Sequence, residues 1–222
     1  MKIDFHVHSA ERSGCGKSSE TAQVEAAIAV GLDAIVFTDH FHLVPGESLA
    51  CLNRRYAPFR VFGGVEVRVD GEDVLVLGIQ DQALECEGWD WPQLHAWSRR
   101  REGAMILAHP FRYQPEIQLD IRRFPPDAIE ICSHNTPPRE FANILEVARR
   151  LDIPTVSNSD SHQADAFGHH YNLFDPPPQS ERDLIDRLKR GDFSCVVPES
   201  LAAACAAADS NHLNLNDCPL TC

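Results

Sequence analysis

The chain opens with KIDFHVH, residues 2–8, an apolar segment that carries two histidines one residue apart. Successive side chains of a strand point to opposite faces, so His6 and His8 share a face while Phe5 and Val7 point the other way. Two interpretations are open at this point. The histidines are either exposed polar residues of an edge strand or half of a metal-binding cluster, and the rest of the sequence has to decide.

Further short apolar segments follow, and they alternate with segments of helical periodicity. The predicted strands are DAIVFTDH (33–40), RVFGGVEVRV (60–69), DVLVLGI (73–79), AMILAHP (104–110), DAIEIC (127–132) and IPTVSNSDSH (153–162). The predicted helices cover residues 18–31, 136–152 and 180–192. Strands that alternate with helices predict an α/β protein with a parallel sheet or barrel. No linker or repeat divides residues 1–198, so a single domain is expected there.

Composition narrows the class of protein. The chain has 222 residues, of which 43% are hydrophobic, enough for one sizeable core. Its formal net charge of −13 argues against a protein that coats long nucleic acid, because such binding rests on many Lys and Arg contacts to phosphates. A small anionic substrate remains compatible with this charge if a local positive centre, such as a divalent metal, attracts it.

Targeting and cysteine signals favour a cytoplasmic location. Met1 leads directly into a strand without a secretory leader, and no apolar run is long enough to span a membrane. The eight cysteines are scattered, which is typical of reduced thiols. Residues 199–222 form an Ala-rich tail that we expect to be partly disordered. Its His212, Cys218 and Cys222 have a spacing that fits no common zinc finger.

Metal-competent side chains stand near the C-terminal side of nearly every predicted strand. They are His6, His8, His40, Glu66, His109, Asp160 and His162. In parallel α/β architectures these strand ends converge on one mouth, where active sites are built. Imidazoles combined with carboxylates suit Zn²⁺, Mn²⁺ or Fe²⁺, and so many ligands exceed the needs of one ion. The sequence therefore predicts two or three divalent ions, with Glu66 as a bridging carboxylate and hydrolysis as the typical reaction.

The motifs DFHVHS, TDH, GGVEV, AHPFR and SDSH, in this order between residues 4 and 162, resemble those of the PHP (polymerase and histidinol phosphatase) family. FGHHYNLF, residues 167–174, is similar to the strand that follows in that family. The resemblance implies a distorted (β/α)7 TIM-like barrel with a trinuclear metal centre that hydrolyses phosphate esters. It also implies that the seven residues above are the ligands. We expect Asp39, next to one of them, to orient a neighbour by hydrogen bonding.

Two positions depart from the family pattern. The family usually has another His or Asp shortly after the first motif, whereas here the loop SAERSGCGKSS offers Cys15, which we interpret as a loop thiol rather than a ligand. The family often has a His on the strand after GxEV, in the slot held here by Asp73. That residue is either a further ligand or a turn-closing aspartate. If neither Cys15 nor Asp73 binds, two ions are expected instead of three.

Three residues are candidates for substrate binding. Arg112 follows His109 by three positions and is predicted to grip a phosphate, the alternative being a surface salt bridge. Lys17 lies in a Gly-flanked loop before a predicted helix, where it either binds an anion or is merely solvated. His134 stands near a strand end and is a further substrate contact. We interpret the remaining histidines of the predicted barrel as structural or surface residues, namely His42, His95, His169 and His170.

The predicted activity is hydrolysis of a small phosphate ester through attack by a metal-bridging hydroxide, with Arg112 and His162 as catalytic residues. Three alternatives stay open. The metals could serve a carboxyl ester or amide substrate, the chain could be a non-catalytic metal-binding module, or it could cleave a nucleotide or short oligonucleotide. The sequence chooses neither the substrate nor the oligomeric state.

Overall fold

The computed structural model describes residues 1–199 and 201. The strands of this part are β1 (Lys2–Val7), β2 (Ala34–Phe37), β3 (Arg60–Val69), β4 (Glu72–Leu77), β5 (Ala104–Leu107), β6 (Ala128–Cys132), β7 (Thr155–Ser157), β8 (Tyr171–Leu173) and β9 (Ser194–Val196). The helices are α1 (Glu20–Ala29), α2 (Gly46–Tyr56), α3 (Trp91–Arg100), α4 (Phe141–Leu151) and α5 (Glu181–Arg190). The expected tail, with His212, Cys218 and Cys222, lies outside the described residues.

The described strands form one sheet in the order β7-β6-β5-β4-β3-β2-β1-β8-β9. Its two ends approach each other, since the Ser157 amide of β7 donates to Oδ1 of Asn172 in β8 at 3.0 Å. A bridge between Val7 and Ser161 adds a second link. The sheet is therefore a nearly closed barrel, as predicted.

The barrel is distorted because it combines parallel and antiparallel strand pairs. The pairs β1–β2, β2–β3, β5–β6 and β6–β7 are parallel, whereas β4, β8 and β9 run antiparallel to their neighbours. The cause of the first reversal is local: Asp70 and Gly71 both have positive φ (47° and 92°) and close a two-residue hairpin between β3 and β4. Asp-Gly is the typical sequence of such a turn.

Two helices lie where the sequence interpretation had none. α2 occupies a segment that we expected to be a loop, and it buries a single side chain, Leu52, so its apolar periodicity is weak. α3 begins at the N-cap Asp90, whose side chain accepts from the amide of Gln93 at 2.8 Å. α4 begins at Phe141, five residues after the start of the predicted helix at 136–152, because a 3₁₀ turn precedes it and Thr136 pairs with Ser133 at 2.9 Å.

A central apolar cluster draws side chains from β1 to β7 and from α5, including Phe5, Phe62 and Ile106. Two further clusters pack helices against the sheet, one under α1 and α2 and one under α3 and α4. None of the described helices is long and apolar enough to cross a membrane. The loops that follow the parallel strands are not needed for these apolar clusters and can carry polar residues.

Candidate metal centre

The ends of the parallel strands bring the predicted ligands together around the carboxylate of Glu66. Its Oε2 lies 3.3 Å from Nε2 of His6, 3.1 Å from Nε2 of His8 and 3.2 Å from Nδ1 of His40. Its other oxygen, Oε1, lies 3.2 Å from Nε2 of His109. Four imidazoles distant in the sequence thus meet at one buried carboxylate, which excludes the edge-strand interpretation of the first two histidines.

Asp160 forms a second meeting point. Its Oδ1 lies 3.2 Å from Nε2 of both His6 and His8, and 3.5 Å from Nδ1 of His162. Among the described residues, Oδ1 of Asp160 and Oε2 of Glu66 are buried and accept no hydrogen bond. Such oxygens are costly to bury without a partner. Cations shared between these oxygens and the nearby imidazoles would satisfy them, and the donor set fits divalent metal ions.

The ligand atoms fall into overlapping groups whose members lie within 4.8 Å of one another. We call three of them the inner groups because all their members are buried: His6–His8–Glu66, His6–His109–Asp160 and Glu66–Asp73–His109. The fourth, His8–Cys15–His40–His162, is the rim group, whose last three members reach solvent. The arrangement has room for more than one ion.

Two of the predicted ligands have strained backbones. His109 has a φ of 26° and Asp160 a φ of 52°, a region that residues other than glycine rarely adopt. Strain of this kind persists where the surrounding structure holds it, and it is concentrated at functional sites. The main-chain amide of His109 is fixed by a 2.9 Å hydrogen bond to Oε2 of Glu130.

Glu130 orients the ligands from behind, a role that the sequence interpretation missed. Its Oε1 lies 3.1 Å from Nδ1 of His6 and also accepts from Nδ2 of Asn158 at 2.9 Å. A proton on Nδ1 of His6 leaves Nε2 free to face Glu66, the usual second-layer arrangement of a metal-bound histidine. The available signal was a lone carboxylate inside the apolar strand DAIEIC.

Ser13 and Asp39 support the loop side of the centre. Oγ of Ser13 lies 3.1 Å from Nδ1 of His8 and accepts from the main-chain amide of His40 at 3.0 Å. Asp39 accepts from the amide and the hydroxyl of Ser9 at 2.6 and 2.8 Å. Asp39 therefore makes the kind of orienting contact that was expected, toward the first motif.

The packed charges shift the pKa values of the inner ligands. Burial favours neutral imidazoles, yet Asp160, Glu66 and Glu130 overcome it and raise the pKa of His6 well above its ordinary value. Burial likewise opposes charge on His8, but Asp160 and Glu66 raise its pKa to about 9. Burial would raise the pKa of Glu66, whereas the neighbouring histidines hold it well below its ordinary value. These carboxylates therefore require positive charge beside them, from protons or from metal ions.

Asp73 reaches the centre but is shared with an arginine. Its Oδ2 lies 3.7 Å from Nε2 of His109, and Nη1 of Arg68 donates to both of its oxygens at 2.9 and 3.0 Å. It does not close a turn: it sits in β4, paired across the hairpin with Arg68. Of the two interpretations, the geometry favours the one that places Asp73 with the ligands.

The three predicted substrate residues line one cavity of about 610 Å³ that opens beside Asp160 and His162. Nη1 of Arg112 lies 3.7 Å from Oδ2 of Asp160, and Lys17 and His134 form other parts of the wall. The sequence interpretation missed Asn135, whose amide donates to Oδ2 of Asp160 at 2.7 Å.

A second cavity of about 580 Å³ lies on the side of His40 and Asp73. Its wall is more aromatic, with Phe41, Trp89 and Tyr113. Tyr113 has Arg68 over its ring at 4.4 Å and Arg112 at 5.0 Å. The candidate metal centre is thus flanked by a cavity that carries Lys17 and Arg112 and by a more aromatic one.

Solved structures share this fold at low sequence identity. PsfC from Pseudomonas syringae PB-5123 superposes with a TM-score of 0.67 at 18% identity, covering 96% of this chain and 98% of that protein. A two-domain protein of Bacteroides vulgatus ATCC 8482, containing a predicted PHP-like metal-dependent phosphoesterase, gives a TM-score of 0.69 at 16% identity, covering 90% of this chain and 65% of that one. An amidohydrolase of Chromobacterium violaceum, solved with sulfate and no metal, gives 0.59 at 19% identity, covering 88% and 98%.

Residues 139–193, which include Asp160 and His162, match the family model described as PHP-associated. The match is confined to this segment of the chain. The search of curated proteins gives no significant match to this sequence. The match to the PHP-associated model agrees with the resemblance seen in the ordered motifs, and with a barrel whose strand ends gather those motifs.

Proposed function

We propose that this chain is a PHP-type metal-dependent hydrolase that cleaves a small phosphate ester. The observation that carries the proposal is the meeting of four imidazoles at the buried carboxylate of Glu66, next to a cavity with two cationic side chains. The proposed ligands of two or three Zn²⁺, Mn²⁺ or Fe²⁺ ions are His6, His8, His40, Glu66, Asp73, His109, Asp160 and His162.

Ions bound there would lower the pKa of a water molecule and neutralise charge on the phosphoryl group. The side chains of the protein position the ligands and the substrate. Glu130 holds the ring of His6 and the main chain of His109, and the cavity wall would hold the substrate next to them. A rigid, pre-oriented set of this kind avoids reorganisation during the reaction.

Arg112 is the proposed phosphate grip. Its side chain is 29% exposed, and its nearest carboxylate, Oδ2 of Asp160, is too distant at 3.7 Å to occupy its donors fully. The guanidinium carbon lies 5.0 Å from the ring centroid of Tyr113, a cation–π contact that helps to hold the group, and two guanidinium N–H groups can bind two phosphate oxygens. Lys17, across the same cavity, adds a second positive charge, and His134 adds a polar contact.

His162 is the proposed catalytic residue next to the leaving oxygen: an ion held by its other ring nitrogen would stabilise that oxygen, which would take its proton from water. Its Nδ1 lies 2.9 Å from the main-chain carbonyl of Asp160, so a proton on that nitrogen is fixed and the ring is oriented. Its side chain is 23% exposed and forms part of the cavity wall. A leaving group in the cavity therefore comes within reach of the ring.

Metal content and turnover test this proposal together. Protein purified without added metal is analysed for its elements, stripped with a chelator, and assayed on phosphomonoesters, a nucleotide, an amide and a lactone before and after Zn²⁺ or Mn²⁺ is restored. We expect metal-dependent turnover of a phosphate ester. Full activity of the stripped protein would overturn the metal requirement, and faster cleavage of the amide or lactone would overturn the phosphate assignment. Bound metal without turnover of any substrate would indicate a non-catalytic module.

A comparison of two arginine variants isolates the role of Arg112. We expect Arg112→Met to lower kcat/KM for the phosphate ester on the order of 10²-fold, or about 3 kcal/mol, because a desolvated charge-assisted contact is lost. Arg139→Met is the control, since Arg139 is 80% exposed and pairs with Glu140 away from the cavity. Equal kinetics of the two variants would remove Arg112 from the substrate site.

A further inference from the structure

The rim group contains a thiol that the sequence interpretation set aside. Sγ of Cys15 lies with ring nitrogens of His8, His40 and His162 in a group whose atoms are all within 4.8 Å of one another. Zn–S and Zn–N bond lengths place the ligand atoms of a tetrahedral ion about 3.3–3.7 Å apart. Small side-chain rotations at the solvent-exposed rim would bring these four atoms to that spacing.

The loop that presents Cys15 is fixed on both sides of the residue. Before it, Ser13 donates its amide to the carbonyl of Ser9 at 3.0 Å and holds His8 and His40 through its hydroxyl. After it, the amide of Lys17 donates to the carbonyl of His162 at 2.7 Å. The thiol is thus tied, through its own neighbours, to all three histidines of the group.

Gly16 makes this loop path possible. A Cβ at this position would lie 2.3 Å from the carbonyl oxygen of Ser9, a main-chain atom that has no room to move aside. The chain therefore passes close against the first motif directly after Cys15. Two other described thiols, Cys51 and Cys86, are also exposed but belong to none of the metal-competent groups.

We propose that Cys15 is a thiolate ligand that completes a four-donor site with His8, His40 and His162. The inference rests on the metal-binding part of the proposed function. A thiolate is a soft donor and favours Zn²⁺ over Mn²⁺, whereas the inner groups offer only nitrogen and oxygen. The rim site is therefore zinc-selective, and the chain discriminates between ions according to their position in the centre.

Cobalt(II) spectroscopy tests directly for a bond between the metal and the sulfur of Cys15. Metal-free, full-length protein is titrated with Co²⁺, whose visible ligand-field bands report binding at any group and whose near-ultraviolet charge-transfer band reports a sulfur ligand. We expect that band in the wild type and in Cys51→Ser, and its loss in Cys15→Ser with the visible bands partly retained. Cys15→His is expected to restore binding without the sulfur band.

The outcomes separate the two proposals. Cobalt binding with the same near-ultraviolet band in Cys15→Ser and wild type would overturn the thiolate ligand and leave the metal centre intact. No cobalt binding to the wild type would overturn both. Cys205, Cys218 and Cys222 lie outside the described residues, and the comparison of variants separates their contribution from that of Cys15.

Alkylation of the wild type gives a test that needs no variant. We expect Zn²⁺ to slow the reaction of Cys15 with iodoacetamide at least tenfold, while Cys51 and Cys86 react at unchanged rates, as read by peptide mapping. Equal reactivity of Cys15 with and without bound Zn²⁺ would overturn the proposal. Zinc affinity at the rim should fall in Cys15→Ser by at least the roughly 10- to 100-fold that loss of an outer hydrogen-bonding partner costs.

Discussion

The inner groups and the rim group use the same residue types in opposite environments. His109 is buried, its main chain is pinned by Glu130, and its pKa is raised by Glu66 against the effect of burial. The side chains of His40 and His162 are 37% and 23% exposed, and partial burial lowers their pKa values. The inner imidazoles stand among carboxylates that require compensating charge, whereas His40 and His162 are neutral near pH 7. Depth in the barrel therefore decides which ligands carry protons.

Loss of the shared carboxylate should have the largest effect. Glu66→Gln removes the charge at which four imidazoles meet, so we expect metal content to collapse and kcat to fall on the order of 10³-fold, about 4 kcal/mol. Elemental analysis and a phosphatase assay measure both. Glu47→Gln, on the exposed first turn of α2, is the control. Unchanged metal content in Glu66→Gln would refute the inner centre.

Loss of Glu130, which orients the inner ligands, should weaken metal binding less than loss of a ligand itself. Glu130→Gln keeps the size of the side chain but removes the charge beside Nδ1 of His6, so we expect a 10- to 100-fold loss of metal affinity. Competition with a chromogenic chelator measures it, and Glu146→Gln on the exposed side of α4 is the matched control. Weakening confined to one ion would locate the effect at the inner groups; equal affinities in the two variants would show that Glu130 does not support them.

Substitutions at two glycines test whether the loop that carries Cys15 is constrained. Gly16→Ala places a methyl group against the carbonyl of Ser9, whereas the same change at Gly14 meets no atom within 4 Å. We expect the first variant to lose about 1–3 kcal/mol of unfolding free energy and the second to stay near the wild type, as measured by urea denaturation. The inner groups should still bind metal in both. Equal stability of the two variants would mean that the loop path is not constrained.

Proton release on metal binding should give the smallest signal. The pKa of His8 is about 9, above its ordinary value of 6.5, so near neutral pH the metal-free ring is protonated and must lose its proton on binding. The affinity for an ion bound by His8 should therefore rise with pH up to about 9 and then level off. His40 and His162, with lowered pKa values, add no release near neutrality. Calorimetry in buffers of different ionisation enthalpy counts the protons, and a count of zero would contradict this assignment.

Parts of the fold followed from local sequence because their causes are local. The Asp70–Gly71 turn, helix α5 with its N-cap Ser180, and the apolar strands all have signals within a few residues. α2 was missed because it buries only Leu52 and its N-cap, Pro45, makes no side-chain hydrogen bond. The antiparallel course of β8 was not predicted, since it depends on pairing with β1 about 170 residues away.

The amino-acid sequence by itself determined the chemistry of the centre: imidazoles and carboxylates placed near strand ends, and the order of motifs typical of PHP proteins. Only the tertiary structure decided which residues contact each of these imidazoles and carboxylates. Glu130 behind His6 and Cys15 among three histidines are contacts that join distant segments, set by barrel closure and loop path, whereas Arg68 reaches Asp73 across the β3–β4 hairpin. Residue type is a local property, but burial, charge compensation and the spacing of donor atoms arise only when the strands close around them.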